Sequence, residues 1–189
     1  KGILEFFNVI NELKPSIIGG YNSANFDWYW IFERCKILGI DIKKACRSLH
    51  PQHSITQKKT ILKLANDVED FMQTSIWGYN VIDIIHAVRR AQAINSSIKS
   101  AGLKYIAEFI NVKEEDRVYI GHDSIGKMYT ENQEYWLNIK NGEYRKKGDF
   151  VDLDTKFPDT YVLTTGSKIV ERYLQDDLEE TLKVDKEFS

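Results

Sequence analysis

Cysteines, prolines and long apolar runs are scarce in this 189-residue chain, which contains only two cysteines and three prolines. Cys35 and Cys46 are too few for a disulfide framework, and they lack the spacing of zinc ligands. No apolar run approaches the ~20 residues of a membrane span, and no secretion signal opens the chain. We therefore expect a cytoplasmic protein of a reduced compartment, with no membrane partner.

Charge of one sign is also lacking, because the formal net charge is only −2. A protein that coats nucleic acid through its overall charge is thereby disfavoured, although a local binding site is not. Hydrophobic residues make up 42% of the chain, and no repeat or low-complexity linker interrupts it. We expect a single domain over residues 1–189 with a substantial core.

Predicted strands alternate with predicted helices, which favours an α/β fold. Hydrophobic spacing and turn residues predict short strands at 16–19 (buried) and 77–82, and an extended segment at 55–64. Gly39 is expected to end a helix, Ser167 to cap one, and Asn141-Gly142 to form a tight turn. The predicted helices cover residues 2–13, 25–38, 41–49, 84–94, 103–109, 124–138 and 166–183.

Two distant segments carry residues typical of a metal-dependent site. Gly20–Asp27 is a polar turn that follows an apolar run and ends in a carboxylate at the start of an aromatic helix. Near the other end, Tyr173 and Asp177 lie four residues apart and therefore share one face of a predicted helix. Two carboxylates and a hydroxyl suit a divalent cation and an activated water.

The same residues resemble the exonuclease motifs of family B DNA polymerases. Asn22-x-x-x-Phe26-Asp27 is similar to the second motif of that family, and Tyr173-x-x-x-Asp177 to the third. Between them, the segments that begin at Asp83 and at Ser100 resemble a strand and helices of the same domain. The resemblance implies a ribonuclease H-like exonuclease fold with a central mixed sheet flanked by helices.

The first motif of that family, Asp-x-Glu on an early strand, is missing from residues 1–21. Glu5 and Glu12 lie in a helical pattern and are poor substitutes. We expect that the chain begins after the first motif, lacks the first strands of the fold, and is inactive alone. An insertion is expected around residues 139–163, where the resemblance is thinnest.

The resemblance implies a reaction, a cofactor and partners. Two Mg²⁺ or Mn²⁺ ions, held in part by Asp27 and Asp177, would support phosphodiester hydrolysis at the 3′ end of single-stranded DNA. Tyr173 would orient the attacking water, and Asn22 and Phe26 would bind the substrate. The expected partners are single-stranded 3′ ends, primer–template DNA, and a polymerase domain in the same longer chain.

Each candidate residue also has an interpretation without function. Asp27 could be an ordinary helix cap, and Tyr173 a core aromatic beside a solvated acidic face that includes Asp176. Asn22 could simply satisfy the backbone of the turn, and Phe26 is more typical of a core residue than of a base-stacking one.

The histidines support neither of two other metal sites. His50 and His53 have no cysteine or acidic residue at ligand spacing. A related subclass of exonuclease carries a His-x(4)-Asp pattern, but no histidine of this chain is followed by aspartate at that distance, including His86 and His122.

Basic residues near aromatics occur at Lys58–Lys63 and Tyr144–Lys147. Both segments could hold a single strand through phosphate contacts and stacking, or form solvated edges. Arg89 and Arg90 could likewise face a DNA strand or face solvent. Two further functions stay open: a stand-alone 3′–5′ exonuclease, and a nuclease-dead module that binds nucleic acid or acts as a scaffold.

Overall fold

A computed structural model describes residues 2–47, 54–64, 67–149 and 160–188. The chain divides into two compact units: Lys1–Gly102 with Phe188–Ser189, and Leu103–Glu187. They are called unit 1 and unit 2 below. His50, His53, Phe150 and Pro158 lie outside the described residues.

In its described part, unit 1 contains four helices and four strands. Predicted helices at 2–13, 25–38 and 84–94 are confirmed within a few residues, as is the extended segment at 55–64. The predicted helix 41–49 is confirmed up to Arg47, and its last two residues lie outside the described part. The elements are α1 (Gly2–Leu13), β1 (Ile17–Gly20), α2 (Asp27–Ile37), α3 (Ile42–Arg47), β2 (Ile55–Leu64), β3 (Asp67–Ile76), β4 (Asn80–Asp83) and α4 (Ile85–Ile94).

Strands β1 and β4 pair in parallel, with Ile17 opposite Asn80 and Gly20 opposite Asp83. The expectation that β1 is buried is wrong, because Ile17 is 56% exposed. A strand beginning at Trp77 is also wrong: Trp77 and Gly78 form a turn, and β4 starts at Asn80. The positive φ of Gly78, 91°, is a conformation that glycine adopts without strain.

Strands β2 and β3 form a long antiparallel hairpin whose register runs from Ile55–Ile76 to Leu64–Asp67. Lys59 and Asp70 form an ion pair on its exposed surface, and Arg89 of α4 pairs with Glu69. Lys59 is therefore paired within the hairpin, and single-strand binding by the basic segment of β2 stays a prediction.

The core of unit 1 forms where the apolar faces of α1 and α2 meet the open end of the β2–β3 hairpin. Phe7 of α1 and Trp28 of α2 are buried, together with Ile55 and Ile76. The spacing of Ile3, Phe7 and Ile10 is that of one helix face. Cys35 and Cys46 are free thiols in the same cluster, and burial raises the pKa of both.

In its described part, unit 2 contains three helices and a three-stranded antiparallel sheet in the order β6-β5-β7. The predicted helix 103–109 is confirmed residue for residue, and α7 begins at Gly166 as predicted. The elements are α5 (Leu103–Phe109), α6 (His122–Glu131), β5 (Glu134–Asn138), β6 (Tyr144–Lys146), β7 (Tyr161–Thr165) and α7 (Gly166–Phe188).

The predicted helix 124–138 is wrong in its second half. Asn132 adopts the left-handed conformation, with φ of 47°, and ends α6. The residues after it form strand β5, paired on both sides. Asn132 Oδ1 also accepts the backbone N–H of Ser167, 3.0 Å away. The predicted Ser167 cap is therefore wrong, since Ser167 lies inside α7.

The tight turn at Asn141-Gly142 is confirmed between β5 and β6. Gly142 has φ of 69°, and a Cβ atom there would overlap the backbone carbonyl of Arg117. The turn therefore requires glycine for its conformation and for its close approach to another segment.

The mixed α/β class is confirmed. In the described residues, however, the strands form three small sheets of two, two and three strands, in place of one central mixed sheet. The single-domain expectation stays a prediction. So does the insertion at 139–163, part of which lies outside the described residues.

Candidate functional site

In unit 1, the Asp83 carboxylate fixes the backbone of the polar turn before α2. It accepts the N–H of Asn22 at 2.7 Å and of Ala24 at 2.8 Å, and also that of Ile85 at 3.3 Å. Asp83 ends β4 directly opposite Gly20, the last residue of β1. The parallel pairing of β1 and β4 therefore places the Asp83 carboxylate next to the turn that follows β1.

The conformation of the turn depends on three further residues. Asn22 has φ of 56°, in the left-handed region that asparagine tolerates. A Cβ on Gly20 would lie 2.6 Å from the Cβ of Ser23. The Tyr21 hydroxyl donates to the Ala101 carbonyl at 2.5 Å, and burial raises the pKa of Tyr21 well above its usual range. Tyr21 thus stays a protonated donor.

Asp27 is the first residue of α2 and is exposed. Within the described part of the chain, its carboxylate has no ion-pair partner. Partial burial of the carboxylate and the charge of Asp83 raise the pKa of Asp27, while the N–H of its own residue opposes the shift. Its negative charge is therefore poorly compensated, which a bound cation would correct.

Three aromatic side chains beside Asp27 are exposed: Phe26 at 68%, Tyr29 at 54% and Trp30 at 56%. The interpretation of Phe26 as a core residue is wrong. Its role in substrate binding stays a prediction. Asn22 serves the turn through its backbone, and its Oδ1 lies 3.5 Å from Nδ2 of Asn25.

In unit 2, Tyr173 and Asp177 lie on the same face of α7, as predicted. Tyr173 is only 4% exposed and packs in the core of the unit, so the core interpretation is correct as well. Burial, the charge of Asp177 and a hydrogen bond to Asp177 raise the pKa of Tyr173. The phenol is therefore protonated at neutral pH.

Asp177 also forms an ion pair with Arg117, whose side chain is fully buried. The same guanidinium pairs with Glu180, one turn further along α7. It also lies 5.0 Å from the ring centroid of Tyr119. Asp177 thus differs from Asp27, because a protein cation already compensates its charge.

The interpretation of Asp176, Asp177, Glu179 and Glu180 as a solvated acidic face is wrong for two of these four residues. Asp176 is 3% and Glu180 1% exposed. The Asp176 carboxylate accepts the N–H of Val118 at 2.9 Å and pairs with Arg172 at 2.7 Å. Asp176 therefore holds the segment before α6 onto α7, which leaves Asp177 as the partly exposed carboxylate.

A divalent cation fits Asp27 better than it fits Asp177. Hard oxygen ligands with uncompensated charge suit Mg²⁺, and Asp27 has that character. Nowhere in residues 2–47, 54–64, 67–149 and 160–188 do three or more His, Cys, Asp or Glu side chains form a group that could hold a metal.

Sequence reasoning did not assign Asp83 or Arg117 to the site. Asp83 had a usable signal, since a carboxylate that ends a short strand is well placed for a site at the strand's carboxyl end. Arg117 had none, because it lies in a mixed charged stretch without periodicity.

A family model described as DNA polymerase family B, exonuclease domain, matches residues 1–106. The chain belongs to this family. The matched residues include the turn at Asn22–Asp27 and Asp83, whereas Tyr173 and Asp177 lie beyond them.

Relatives of this exonuclease-family chain are DNA polymerases. It is 23% identical to DNA polymerase 2 of Aeropyrum pernix, over the whole chain and 17% of the relative. It is 26% identical to the DNA polymerase delta catalytic subunit of Arabidopsis thaliana, over 70% of the chain and 12% of the relative. A third match, to the catalytic subunit of DNA polymerase epsilon from Emericella nidulans, is 45% identical over 22% of the chain and 2% of the relative.

The chain thus spans about a sixth of the length of the Aeropyrum relative and less of the others. Across the part of the chain that the structure describes, no helix has the length and apolar character needed to cross a membrane.

Proposed function

We propose that this chain is the 3′–5′ proofreading exonuclease region of a family B DNA polymerase, with a ribonuclease H-like fold. One observation carries the proposal. In a chain of this family, Asp83 fixes a turn that presents Asp27, whose carboxylate forms no ion pair with any described residue, at the start of α2. The substrates proposed are single-stranded 3′ ends and primer–template DNA.

Asp27 and Asp177 are the proposed metal-ligating carboxylates. When bound, two Mg²⁺ or Mn²⁺ ions would activate water and stabilise the departing 3′ oxygen. Asp27 would supply an exposed carboxylate, and a metal ion would not have to displace any ion-pair partner among the described residues. Asp177 would exchange or share its contact with Arg117. The remaining acids are proposed to come from an Asp-x-Glu motif in a longer protein that also carries the polymerase domain.

Tyr173 is proposed to position the attacking water through its hydroxyl. Its raised pKa makes it a hydrogen-bond donor and excludes it as a base at neutral pH. Phe26 is proposed to contact the substrate strand, because it is exposed directly beside Asp27. Asn22 is proposed to support the same contact through its place in the turn.

The test is Mn²⁺-dependent trimming of a 3′-labelled single-stranded oligonucleotide. It compares this chain with a version extended on its N-terminal side through the next acidic motif. We expect trimming by the extended version only. There, Asp27→Asn and Asp177→Asn should each lower the rate at least about 100-fold, since a metal ion contributes several kcal/mol of transition-state stabilisation.

Asp123→Asn, an exposed carboxylate in the first turn of α6, is the matched control and should leave the rate unchanged. Full activity in Asp27→Asn would refute the assignment. Full activity in Asp177→Asn alone would make Asp177 a structural partner of Arg117.

One observation favours a second candidate, a nuclease-dead module that binds nucleic acid. Arg117 already compensates the charge of Asp177, as expected if no metal binds there. If the extended version folds and binds single-stranded DNA but never trims it, this second function is the better one.

A further inference from the structure

In unit 2, three cationic groups gather around the ring of Tyr119. Lys104 Nζ lies 4.8 Å, Arg117 Cζ 5.0 Å and Lys113 Nζ 5.7 Å from the ring centroid. The negative face of an aromatic ring attracts cations, so Tyr119 offsets part of the repulsion among them. We call Lys104, Lys113 and Tyr119 the Tyr119 cluster.

The three cations differ in how their charge is compensated. Arg117 is buried and pairs with Asp177 and Glu180. Lys104 and Lys113 are exposed, and neither forms an ion pair with any residue that the structure describes. Two exposed ammonium groups therefore approach the same ring, in a chain whose net charge is −2.

The cluster borders residues already proposed to act in hydrolysis. Lys104 Nζ lies 5.8 Å from the ring centroid of Tyr173, which shares a face of α7 with Asp177. Tyr119 also lines a groove of about 330 Å³, with Arg117 and the hairpin turn Asn141–Arg145 on its other sides. A strand lying in this groove would therefore pass the Tyr119 ring, which both lysines approach.

We propose that Lys104 and Lys113 bind a backbone phosphate of single-stranded DNA, next to the phosphate whose attacking water Tyr173 is proposed to position. An ammonium group binds phosphate as a point charge, and a ring shared with other cations is poorly available for base stacking. The cluster therefore recognises charge and not sequence. The choice of DNA as ligand rests on the proposed function.

The experiment measures binding of a fluorescent oligo(dT) to this chain by fluorescence anisotropy, in EDTA so that no hydrolysis occurs. The salt dependence is compared between the wild type and Lys104→Gln/Lys113→Gln. Because each neutralised phosphate on a single strand contributes about 0.7 to the slope of log affinity against log salt, losing the one phosphate that both lysines bind should reduce the slope by about 0.7.

Two further double variants make the result specific. Lys140→Gln/Lys168→Gln removes the same charge from exposed positions of unit 2 and should leave the slope unchanged. Lys104→Arg/Lys113→Arg keeps the charge and should restore wild-type binding. Circular dichroism confirms that each variant is folded.

An unchanged slope in Lys104→Gln/Lys113→Gln, an equal loss in the control variant, or no binding by the wild type would each overturn the proposal. The readout does not involve hydrolysis, so the result is distinguishable from a failure of the proposed nuclease function. An extended version that binds through the cluster but never trims DNA would keep this inference and refute that function.

Discussion

Asp83 and Asp41 accept backbone N–H groups through the same kind of side chain but in different surroundings. Asp41 is exposed and accepts the N–H groups of Lys43 and Lys44 at 3.0 and 3.2 Å. Asp83 is largely buried, and burial raises its pKa although three N–H groups oppose the shift. The first residue caps a surface helix, whereas the second holds the turn on which the proposed site depends.

Asp83→Asn should therefore lower the free energy of unfolding by about 1–3 kcal/mol, because an amide offers one acceptor oxygen and leaves buried N–H groups unpaired. Amide exchange at Asn22 and Ala24, followed by NMR, should become faster. Asp41→Asn is the matched control and should change stability by less than about 0.5 kcal/mol, since asparagine is an equally good cap. Unchanged exchange at Asn22 would contradict the role of Asp83.

Asp27→Asn should make stability less dependent on pH. The pKa of Asp27 is raised above 3.8 in the folded chain, so folding disfavours its ionised form. The wild type should therefore match the variant below the unfolded-state pKa and lose stability relative to it as pH rises through the folded-state pKa.

Urea unfolding at several pH values measures this difference, which we expect to stay within about 0.5 kcal/mol for an exposed residue. In the Asp83→Asn background the difference should shrink, because the charge of Asp83 is one cause of the raised pKa. A wild type that gains stability relative to the variant with rising pH would show the opposite sign.

At the scale of elements, the turn between β5 and β6 is packed against backbone from elsewhere in unit 2. Gly142 and Gly148 both have positive φ, 69° and 92°. A Cβ on Gly142 would overlap the Arg117 carbonyl, whereas a Cβ on Gly148 would meet nothing within 4 Å. Substituting the two glycines thus distinguishes the free-energy cost of a side chain in a left-handed conformation from the cost of a steric clash.

Gly142→Ala should destabilise the chain by more than Gly148→Ala. Both variants carry the penalty of about 1–2 kcal/mol for a left-handed alanine, and only the first must also displace the backbone at Arg117. Urea unfolding of the two variants gives the comparison. Equal losses would mean that the turn moves away from Arg117 without cost.

The helices were predictable because their apolar spacing is strong, as in Ile3, Phe7 and Ile10. Strand β5 was not, because its hydrophobic residues also fit a helix. What excludes the helix is the left-handed Asn132 together with partners on both sides of β5, and neither is visible in a local pattern. Strand β3 was missed because its residues are largely polar.

The site was predictable to a similar extent. The i,i+4 relation of Tyr173 and Asp177 follows from helix geometry alone and is confirmed. The Asp83 contacts and the Arg117 ion pair join residues that are about 60 positions apart in the chain. No local pattern encodes such contacts, because they depend on how the elements pack.

At the scale of the whole chain, the segment that the family model matches and the main segment of unit 1 end within a few residues of each other. The match covers residues 1–106, and unit 1 runs to Gly102. Each unit also has its own core cluster, one including Phe7 and the other including Ile169. A segment with its own core should be able to fold alone.

Residues 1–102 expressed alone should therefore unfold cooperatively in urea and keep the slow amide exchange of Asn22 and Ala24. The control is the same segment with Asp83→Asn, in which that exchange should be fast. A segment that shows no cooperative transition would instead favour the single domain expected from length.

The two buried cysteines make the chain convenient for site-specific labelling. Cys35 and Cys46 are 2% and 0% exposed, and a raised pKa keeps their reactive thiolate form scarce at neutral pH. A new cysteine at the exposed position of Lys140, next to the turn that lines the groove beside Tyr119, should therefore take up a maleimide dye much faster than either natural thiol. A fluorophore could then report on the Tyr119 cluster in the otherwise natural sequence.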